Sequence, residues 1–596
     1  MEQLQTRQWY KDDYNINQNQ FSYVEMVKQN YHARHSLDLR HLRLYGVSAL
    51  FGGQIDPLAI IDDSKVRMGL NIVKSCVDTA YNKIARQYIK PMFLTDGADW
   101  LMKQRAEKLG KFVEGVFYET DFNEKASEIF RSGGIFGSGL ILWDNPKECE
   151  TVMQSDCIID EVEGKYGKIH QLHVRKFVSK EFLIEKYPKK KSVIMGAQFE
   201  TDDNIAGIYP DSTVCWLRSY VLEGGKVKLV SSLRNGTLES KEMEMDYIPY
   251  CKFSFDKPVF GFWGRGLAEQ LAPIQLEINK TLRTISLCMH LGAVPKVFVE
   301  ANSKIIKAQL NNEIGSIITY FGIRPTTDQL MKVPPELWAY LDNLYNKAYE
   351  ITGLTQMMAN GEKPAGLDSG KALRTFHDIE SIRHAKLAQA WEKFCIDNAK
   401  MVIKLSKTYA KQVEDFQVSV LDDKKKQVLK WSEVDMAEDC YAIRAYPTSF
   451  LSELPSQRFA DIKELLNAGM VDVRQAKVLM DYPDIKQIET LDNAPTENIL
   501  AVLAYIVEEG KYYPPEPLQD LDYGISVFSS AYLKYALEGL PDDRVSLLIQ
   551  WINDAKALQQ QIGFEEQQSQ QINAQAEMSQ VPVDMNQVSP DSQRGV

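Results

Sequence analysis

Gly264-Arg265-Gly266-Leu267-Ala268-Glu269-Gln270-Leu271-Ala272-Pro273-Ile274-Gln275-Leu276-Glu277-Ile278-Asn279-Lys280 is the stretch on which the reading of this chain turns. Two glycines around an arginine make a permissive backbone junction. From Leu267 onward, Leu271, Ile274, Ile278, Leu282, Ile285 and Met289 recur in steps of three and four, which predicts an amphipathic helix over 267–290. Pro273 should either kink that helix or mark its true first turn. Further on, Pro334-Pro335-Glu336 opens a second helix with the stripe Leu337, Leu341, Leu344, Ala348 and Ile351, and Gly353 is a natural stop. Between the two helices lies a small mixed α/β insert with strand-like runs at 294–299 and 314–321. A Gly/Pro/Met loop, 354–368, follows. Then comes one long helical pattern over 369–413, with Leu373, Phe376, Ile379, Leu387, Trp391, Phe394, Met401 and Leu405 among many charges. Unbroken, it would span about 65 Å at ~1.5 Å per residue; a hidden break would make it two helices.

Working upstream, residues 65–90, 100–119 and 122–132 have helical spacing, and 1–50 are polar and aromatic without clear period. Residues 133–260 change character. Short β-branched and aromatic runs at 135–143, 170–177, 213–220, 226–231 and 247–255 are separated by turns such as Glu223-Gly224-Gly225, which predicts an antiparallel β-rich part. Downstream, 416–447 leans to β and 455–560 to helix, broken at Tyr512-Tyr513-Pro514-Pro515-Glu516-Pro517. From Gln559 the chain turns Gln-rich and acidic, and disorder is expected beyond Phe564.

The chain has 596 residues, 44% apolar and 25% charged, which excludes a fibrous or wholly disordered protein. Its longest nearly apolar run, 284–299, is too short and too broken by His290, Pro295 and Lys296 to cross a bilayer, and no secretory signal is visible. Eight scattered cysteines without CxxC spacing point to buried thiols in a reducing setting. The net charge is −12, of which −6 lies in 496–562 and −4 in 563–596. Such a chain does not wrap basic surface around phosphate; it would meet DNA loosely or at a few placed cations.

Motifs for catalysis fail on their context. Gly133-Gly134-Ile135-Phe136-Gly137-Ser138-Gly139 resembles a dinucleotide loop, but a helix precedes it and a strand follows, the reverse of the required order. Ser369-Gly370-Lys371-Ala372 resembles a P-loop end without its spacing or its magnesium-binding hydroxyl. His170 and His173 should face opposite sides of a strand, and His377 and His384 lie too far apart on a helix to share an ion. The expectation is no enzyme, no cofactor and no metal.

Four features together resemble the portal protein of tailed double-stranded DNA bacteriophages. They are Gly264-Arg265-Gly266-Leu267-Ala268-Glu269 with Gln275, Asn279 and Lys280; Ser369-Gly370-Lys371-Ala372-Leu373-Arg374 with Arg383; Phe136-Gly137-Ser138-Gly139; and the order helix, insert, helix, loop, long helix. The resemblance covers roughly residues 60–450. It implies an α+β, predominantly helical protomer with wing, stem, clip and crown in a cyclic ring. The expected parts are an N-terminal arm or short helices (1–60), a wing (61–265), a first stem helix (266–292), a clip (293–334), a second stem helix (335–353), a tunnel loop (354–368), the long wing helix with a β return (369–454), a helical crown (455–562) and a disordered tail (563–596).

The resemblance also implies a homo-oligomer, usually of twelve copies, at one capsid vertex of the virion, assembled in the host cytoplasm. Double-stranded DNA would pass through without sequence reading. Partners would be the terminase large subunit, which supplies ATP hydrolysis, head-completion, adaptor and tail proteins, and major capsid and scaffolding proteins, with no membrane. On this reading Glu336, Asp342, Asn346 and Glu350 line the channel from the second stem helix. With Lys347 the helix carries net −2, which would repel a duplex and keep it centred. Met357, Met358, Asn360, Lys363 and Lys371 are candidate DNA contacts at the tunnel loop. Lys304, Lys307, Arg324 and Lys332 are candidate partner contacts on the clip, whose 293–334 span carries net +2. The residues also admit two other classes: a nucleic-acid-processing enzyme subunit with an unrecognised carboxylate site, or a non-portal adaptor of a large complex.

Overall fold

The computed structural model describes residues 7–12, 14–46, 70–86, 89–94, 100–164, 169–200, 213–259, 261–293, 296–298, 326–328, 333–354, 370–413, 416–422, 425–434, 442–447, 462–470, 494–537 and 539–578. Their backbone separates into two units. One is built from the described residues within 1–92, 108–435 and 443–448, the other from those within 93–107, 436–442 and 449–596.

In chain order, helices α1 (Ile16–Asn30) and α2 (His32–Tyr45) are followed by α3 (Ile72–Ile84) and strand β1 (Ile89–Leu94). Helix α4 (Trp100–Glu119) and α5 (Phe122–Phe136) lead into the β-rich part: β2 (Ser138–Asn145), β3 (Glu148–Val152), β4 (Cys157–Ile158), the short helix α6 (Glu161–Gly164), β5 (Gln171–Ser179), α7 (Lys180–Lys186), α8 (Lys191–Met195), β6 (Thr213–Glu223), β7 (Lys226–Leu233), β8 (Gly236–Met243) and β9 (Tyr250–Ser254). Then come α9 (Leu267–Ala293), β10 (Lys296–Phe298), β11 (Thr326–Asp328), α10 (Pro335–Thr352), α11 (Gly370–Tyr409), the hairpin β12 (Gln417–Asp422) and β13 (Lys425–Lys430), α12 (Trp431–Val434) and β14 (Ala442–Pro447). The chain is mixed α+β, with helix predominating and all registered strand pairs antiparallel.

The five-stranded sheet, in order β4-β5-β6-β7-β8, is covered on both faces. Cys215, Leu217 and Val221 of β6 pack under α1 with Trp9, Phe21, Val24 and Val27. The alternate residues Val214 and Trp216 pack with Leu183 of α7 and Ile194 of α8. Burial of both faces explains why β6 is a nearly continuous apolar run and not an alternating one. Residues 1–60, read as arm or short helices, therefore supply two helices of 15 and 14 residues, the first of which is a structural cover. Gln20 of α1 reaches Ser219 at 2.6 Å and the carbonyl of Val230 at 3.2 Å, and the Trp9 indole donates to Gln171 at 2.9 Å.

The three-stranded sheet, in order β3-β2-β9, packs between α5 and α11. Its core is aromatic: Trp391 stacks on Phe394 and meets Phe130 and Phe253 edge-on, each at 5.3 Å. The Trp143 indole donates to Asn398 of α11 at 2.9 Å, and Asn398 in turn donates to Phe394 O at 2.8 Å. The long pattern is thus one unbroken helix, 40 residues ending at Tyr409, so the alternative of two helices is excluded.

Several boundaries differ from the sequence reading. Helix α5 runs on through Gly133 and Gly134 to Phe136, because those glycines are contact points: a Cβ at Gly133 would lie 2.7 Å from the Phe253 ring, and one at Gly134 3.1 Å from Val77. Only Gly137, at φ +107°, makes the turn. Strands β3 and β8 were not expected from their charged composition. Pro273 lies inside α9 and not in its first turn. Strand-like 314–321 lies outside the described residues, whereas β10 pairs with β11, Lys296 facing Asp328.

The second unit holds α13 (Ala494–Ala504), a π-turn at Tyr505–Glu509, α14 (Leu521–Leu537) and α15 (Asp542–Met578). Phe528 stacks on Trp551 at 3.8 Å, and Gly524 leaves room for the indole edge. Helix α15 corrects the expected tail boundary: it continues beyond 562 to Met578. Gln, Glu and Ala are good helix formers, and extending a helix already anchored at Leu548 and Trp551 needs no new nucleus.

Candidate functional site

The root of α9 is fixed by a crossing of two glycine-rich segments that lie far apart in sequence. Gly137, Gly264 and Gly266 meet backbone to backbone. A Cβ on Gly137 would lie 2.2 Å from Gly264 O, one on Gly264 2.5 Å from Gly137 O, and one on Gly266 2.7 Å from Gly134 O. No side chain fits at any of the three. Hydrogen bonds lock the crossing: Gly264 N donates to Ser138 Oγ at 2.9 Å, Phe255 N to Gly137 O at 3.0 Å and Arg265 N to Asp256 O at 3.1 Å. From α2, Arg34 donates to Gly264 O at 2.9 Å and to Phe136 O at 3.4 Å. Two of the motifs that carry the resemblance, Phe136-Gly137-Ser138-Gly139 and Gly264-Arg265-Gly266, are therefore one structural feature.

Arg34 is held by Asp38, one helical turn on, with Nε 3.7 Å from Oδ1. Asp38 is only 2% exposed and accepts a hydrogen bond from Gln154 at 3.1 Å. Burial pushes its carboxyl up to about 7, although Arg34 and the Gln154 hydrogen bond pull the other way. Burial also lowers the neighbouring His41.

Gln275 and Asn279 serve the same seating. Gln275 Oε1 accepts from Ile72 N at 2.8 Å, and its Nε2 donates to Leu70 O at 2.7 Å and to Asn279 Oδ1 at 3.0 Å. One buried amide thus closes the start of α3, whose own cap, Asn71, accepts from Lys74 N at 2.9 Å. Helix α9 packs along α3 and α10.

On α10, Leu341, Ala348 and Tyr349 are buried while Glu336, Asp342, Asn346 and Glu350 are all exposed. At 3.6 residues per turn these four fall on one arc of about 120° opposite the buried stripe. Lys347 borders that arc and pairs with Glu350 at 2.6 Å. The structure thus brings the four expected channel residues onto one solvent-facing strip. Exposed Trp338, Tyr340 and Ile351 flank it, and Leu287 and Met289 are exposed near the end of α9.

Lys371 lies in the first turn of α11. Met357, Met358, Asn360, Lys363, Lys304, Lys307, Arg324 and Lys332 lie outside the described residues. Of the eight cysteines, seven are free thiols and Cys440 is outside the described residues. No group able to hold a metal ion occurs among the described residues, and none of their helices is long and apolar enough to cross a membrane. The Gly133–Gly139 segment is the last turn of α5, a turn at Gly137 and the start of β2, a helix-to-strand order that lacks the geometry that cradles pyrophosphate.

A buried ion network escaped the sequence reading. Arg218, its side chain 3% exposed, meets Glu150 at 2.6 Å and Asp144 at 3.3 Å; Lys176 also pairs with Glu150, and Tyr220 donates to Asp144 at 2.8 Å. An arginine inside the apolar run of β6 was the available signal, since a fully buried charge requires partners. No protein-family model matches this chain, and no curated protein matches it.

Proposed function

We propose that this chain is the protomer of a portal-type ring, the conduit through which double-stranded DNA enters and leaves a phage capsid. The observation that carries the reading is the α9–α10 pair. The two helices pack on each other, span the insert at 294–334, and rest on the β-rich part through the glycine crossing. The free face of α10 carries Glu336, Asp342 and Glu350 against Lys347 alone. In a ring, that face repeated around the axis gives an acidic wall. Each phosphate a wall neutralises tightens binding through counterion release, so a conduit works by avoiding such contacts.

In this reading the clip docks the terminase and, after packaging, head-completion and tail proteins; the loop at 354–368 grips DNA; and the crown helices face the capsid interior. The protein performs no catalysis, and the terminase hydrolyses ATP. Closed cyclic symmetry follows where a head-to-tail interface closes on itself. Negative-stain microscopy of the purified protein is expected to show rings with a central hole. A protein that stays monomeric by mass measurement at every concentration and salt tried would overturn the proposal. Shortening the 354–368 loop, or Lys363→Glu, is expected to leave ring formation intact and impair DNA packaging in vitro.

A further inference from the structure

Between the β2–β3 hairpin and the outer face of the five-stranded sheet lies a cleft of about 260 Å³. Its lining is mixed: Trp143, Tyr220, Leu229 and Met243 supply apolar surface beside charged and polar side chains. That volume falls below the roughly 300–1,000 Å³ of small-molecule pockets and suits one large side chain. Arg218 lines it. Asp144 and Glu150 occupy the ends of its guanidinium fork, and its buried Nε hydrogen has no partner.

The charges beside the cleft are lopsided. Lys186 and Lys241 line it together with Glu148 and Glu239, a balanced set. Directly after Tyr187, which also lines it, the chain makes a 3-10 turn, Pro188–Lys190, that continues into α8 with Lys191. Lys189, Lys190 and Lys191 are all exposed, and among the described residues none meets a carboxylate. The turn is rigidly mounted. Leu183 and Ile194 on either side are fully buried, and Trp216 beneath is touched by Phe182 and Tyr187. Three consecutive unpaired lysines on a chain of net charge −12 mark a local reversal of sign.

We propose that this cleft and the Lys189–Lys191 turn form a docking site for an acidic segment of a partner protein. The segment would place one large apolar side chain in the cleft, and its carboxylates would meet the lysines. The aromatic and aliphatic part of the cleft supplies the anchor point and the lysines supply steering and register. Nucleic acid fits less well. Three lysines neutralise few phosphates, and a duplex has no side chain to enter the cleft.

The test is fluorescence anisotropy on the full-length protein. The probes are a labelled Glu-rich peptide with one central tryptophan, the same peptide with glycine in its place, and a short DNA duplex. The tryptophan peptide is expected to bind, and Lys189→Gln/Lys190→Gln/Lys191→Gln and Met243→Trp, which fills the cleft, should each weaken it about tenfold. The glycine peptide should bind about tenfold more weakly to the unaltered protein. Melting curves identify any variant that unfolds, and Lys241→Glu then replaces Met243→Trp. Unchanged binding by the triple lysine variant, or equal binding of the two peptides, would overturn the site. So would a duplex bound as tightly as the peptide with the same lysine dependence, which would make it a nucleic-acid surface.

Discussion

Gly137→Ala tests the crossing most directly, because two costs add there. The first is conformational. Gly137 sits at φ +107°, where a Cβ costs roughly 1–2 kcal/mol. The second is steric. The new methyl would lie 2.2 Å from Gly264 O, 2.5 Å from Gly264 C and 2.9 Å from Arg265 N, all backbone, so no rotamer change relieves it. Forcing such a shift in a packed interior costs about 1–3 kcal/mol. The sum is about 2–5 kcal/mol. With an unfolding entropy near 2.1 cal/mol/K per residue over a unit of roughly 400 residues, that lowers the melting temperature by about 2–6 °C. Gly225→Ala is the matched control. It too has positive φ, +79°, but a Cβ there meets nothing within 4 Å, so only the first cost applies. The assay is thermal unfolding followed by near-ultraviolet circular dichroism on both variants. Equal destabilisation by the two would refute the argument that backbone contact at the crossing seats α9.

Three further outcomes follow from the same geometry. Gln275→Leu leaves Ile72 N and Leu70 O without partners and should destabilise by about 2–4 kcal/mol in denaturant unfolding, whereas exposed Asn346→Ala should change stability by less than about 0.5 kcal/mol. Asp38, raised from 3.8 to about 7, favours the folded state as the neutral acid. Its contribution is therefore full below about pH 4 and is lost as pH rises to about 7; Asp38→Asn should remove that fall and be the more stable protein by up to about 4 kcal/mol at pH 8, measured by unfolding across the range. Glu336→Lys/Asp342→Lys/Glu350→Lys reverses the exposed strip of α10 and should leave thermal stability nearly unchanged while raising affinity for duplex DNA with a steeper salt dependence, read by filter binding.

Elements with local punctuation were legible in the sequence. Pro334-Pro335 and Gly353 bound α10 at Pro335–Thr352, and Gly353 adopts φ +72° as the stop requires. The apolar period of α4 gave Trp100–Glu119. Elements whose stability comes from a neighbour were not legible. Strand β3, Glu-Cys-Glu-Thr-Val, has weak strand composition, but β2 supplies its ladder and Arg218 and Lys176 hold Glu150. Edge strand β8, Gly-Thr-Leu-Glu-Ser-Lys-Glu-Met, needs one apolar contact on its inner face, Leu238, and is otherwise fixed by β7. Asp38 carried no sequence signal, because its burial depends on Gln154, in a 3-10 turn over Gln154–Asp156, and on α2 folding over it.

The candidate site divides along the same line. Gly264, Gly266, Gln275 and Asn279 are demanding positions. Each glycine admits no Cβ, and the two amides must present a donor and an acceptor at fixed points. Such positions tolerate few residue types, so they leave a motif. The outer strip of α10 demands only that its residues be polar, exposed and on balance acidic, which many sequences satisfy and no motif records. The residues that carry the resemblance are therefore the ones that seat the helix pair. The residues proposed to face DNA are recognisable only by their charge and by the face on which that seating places them.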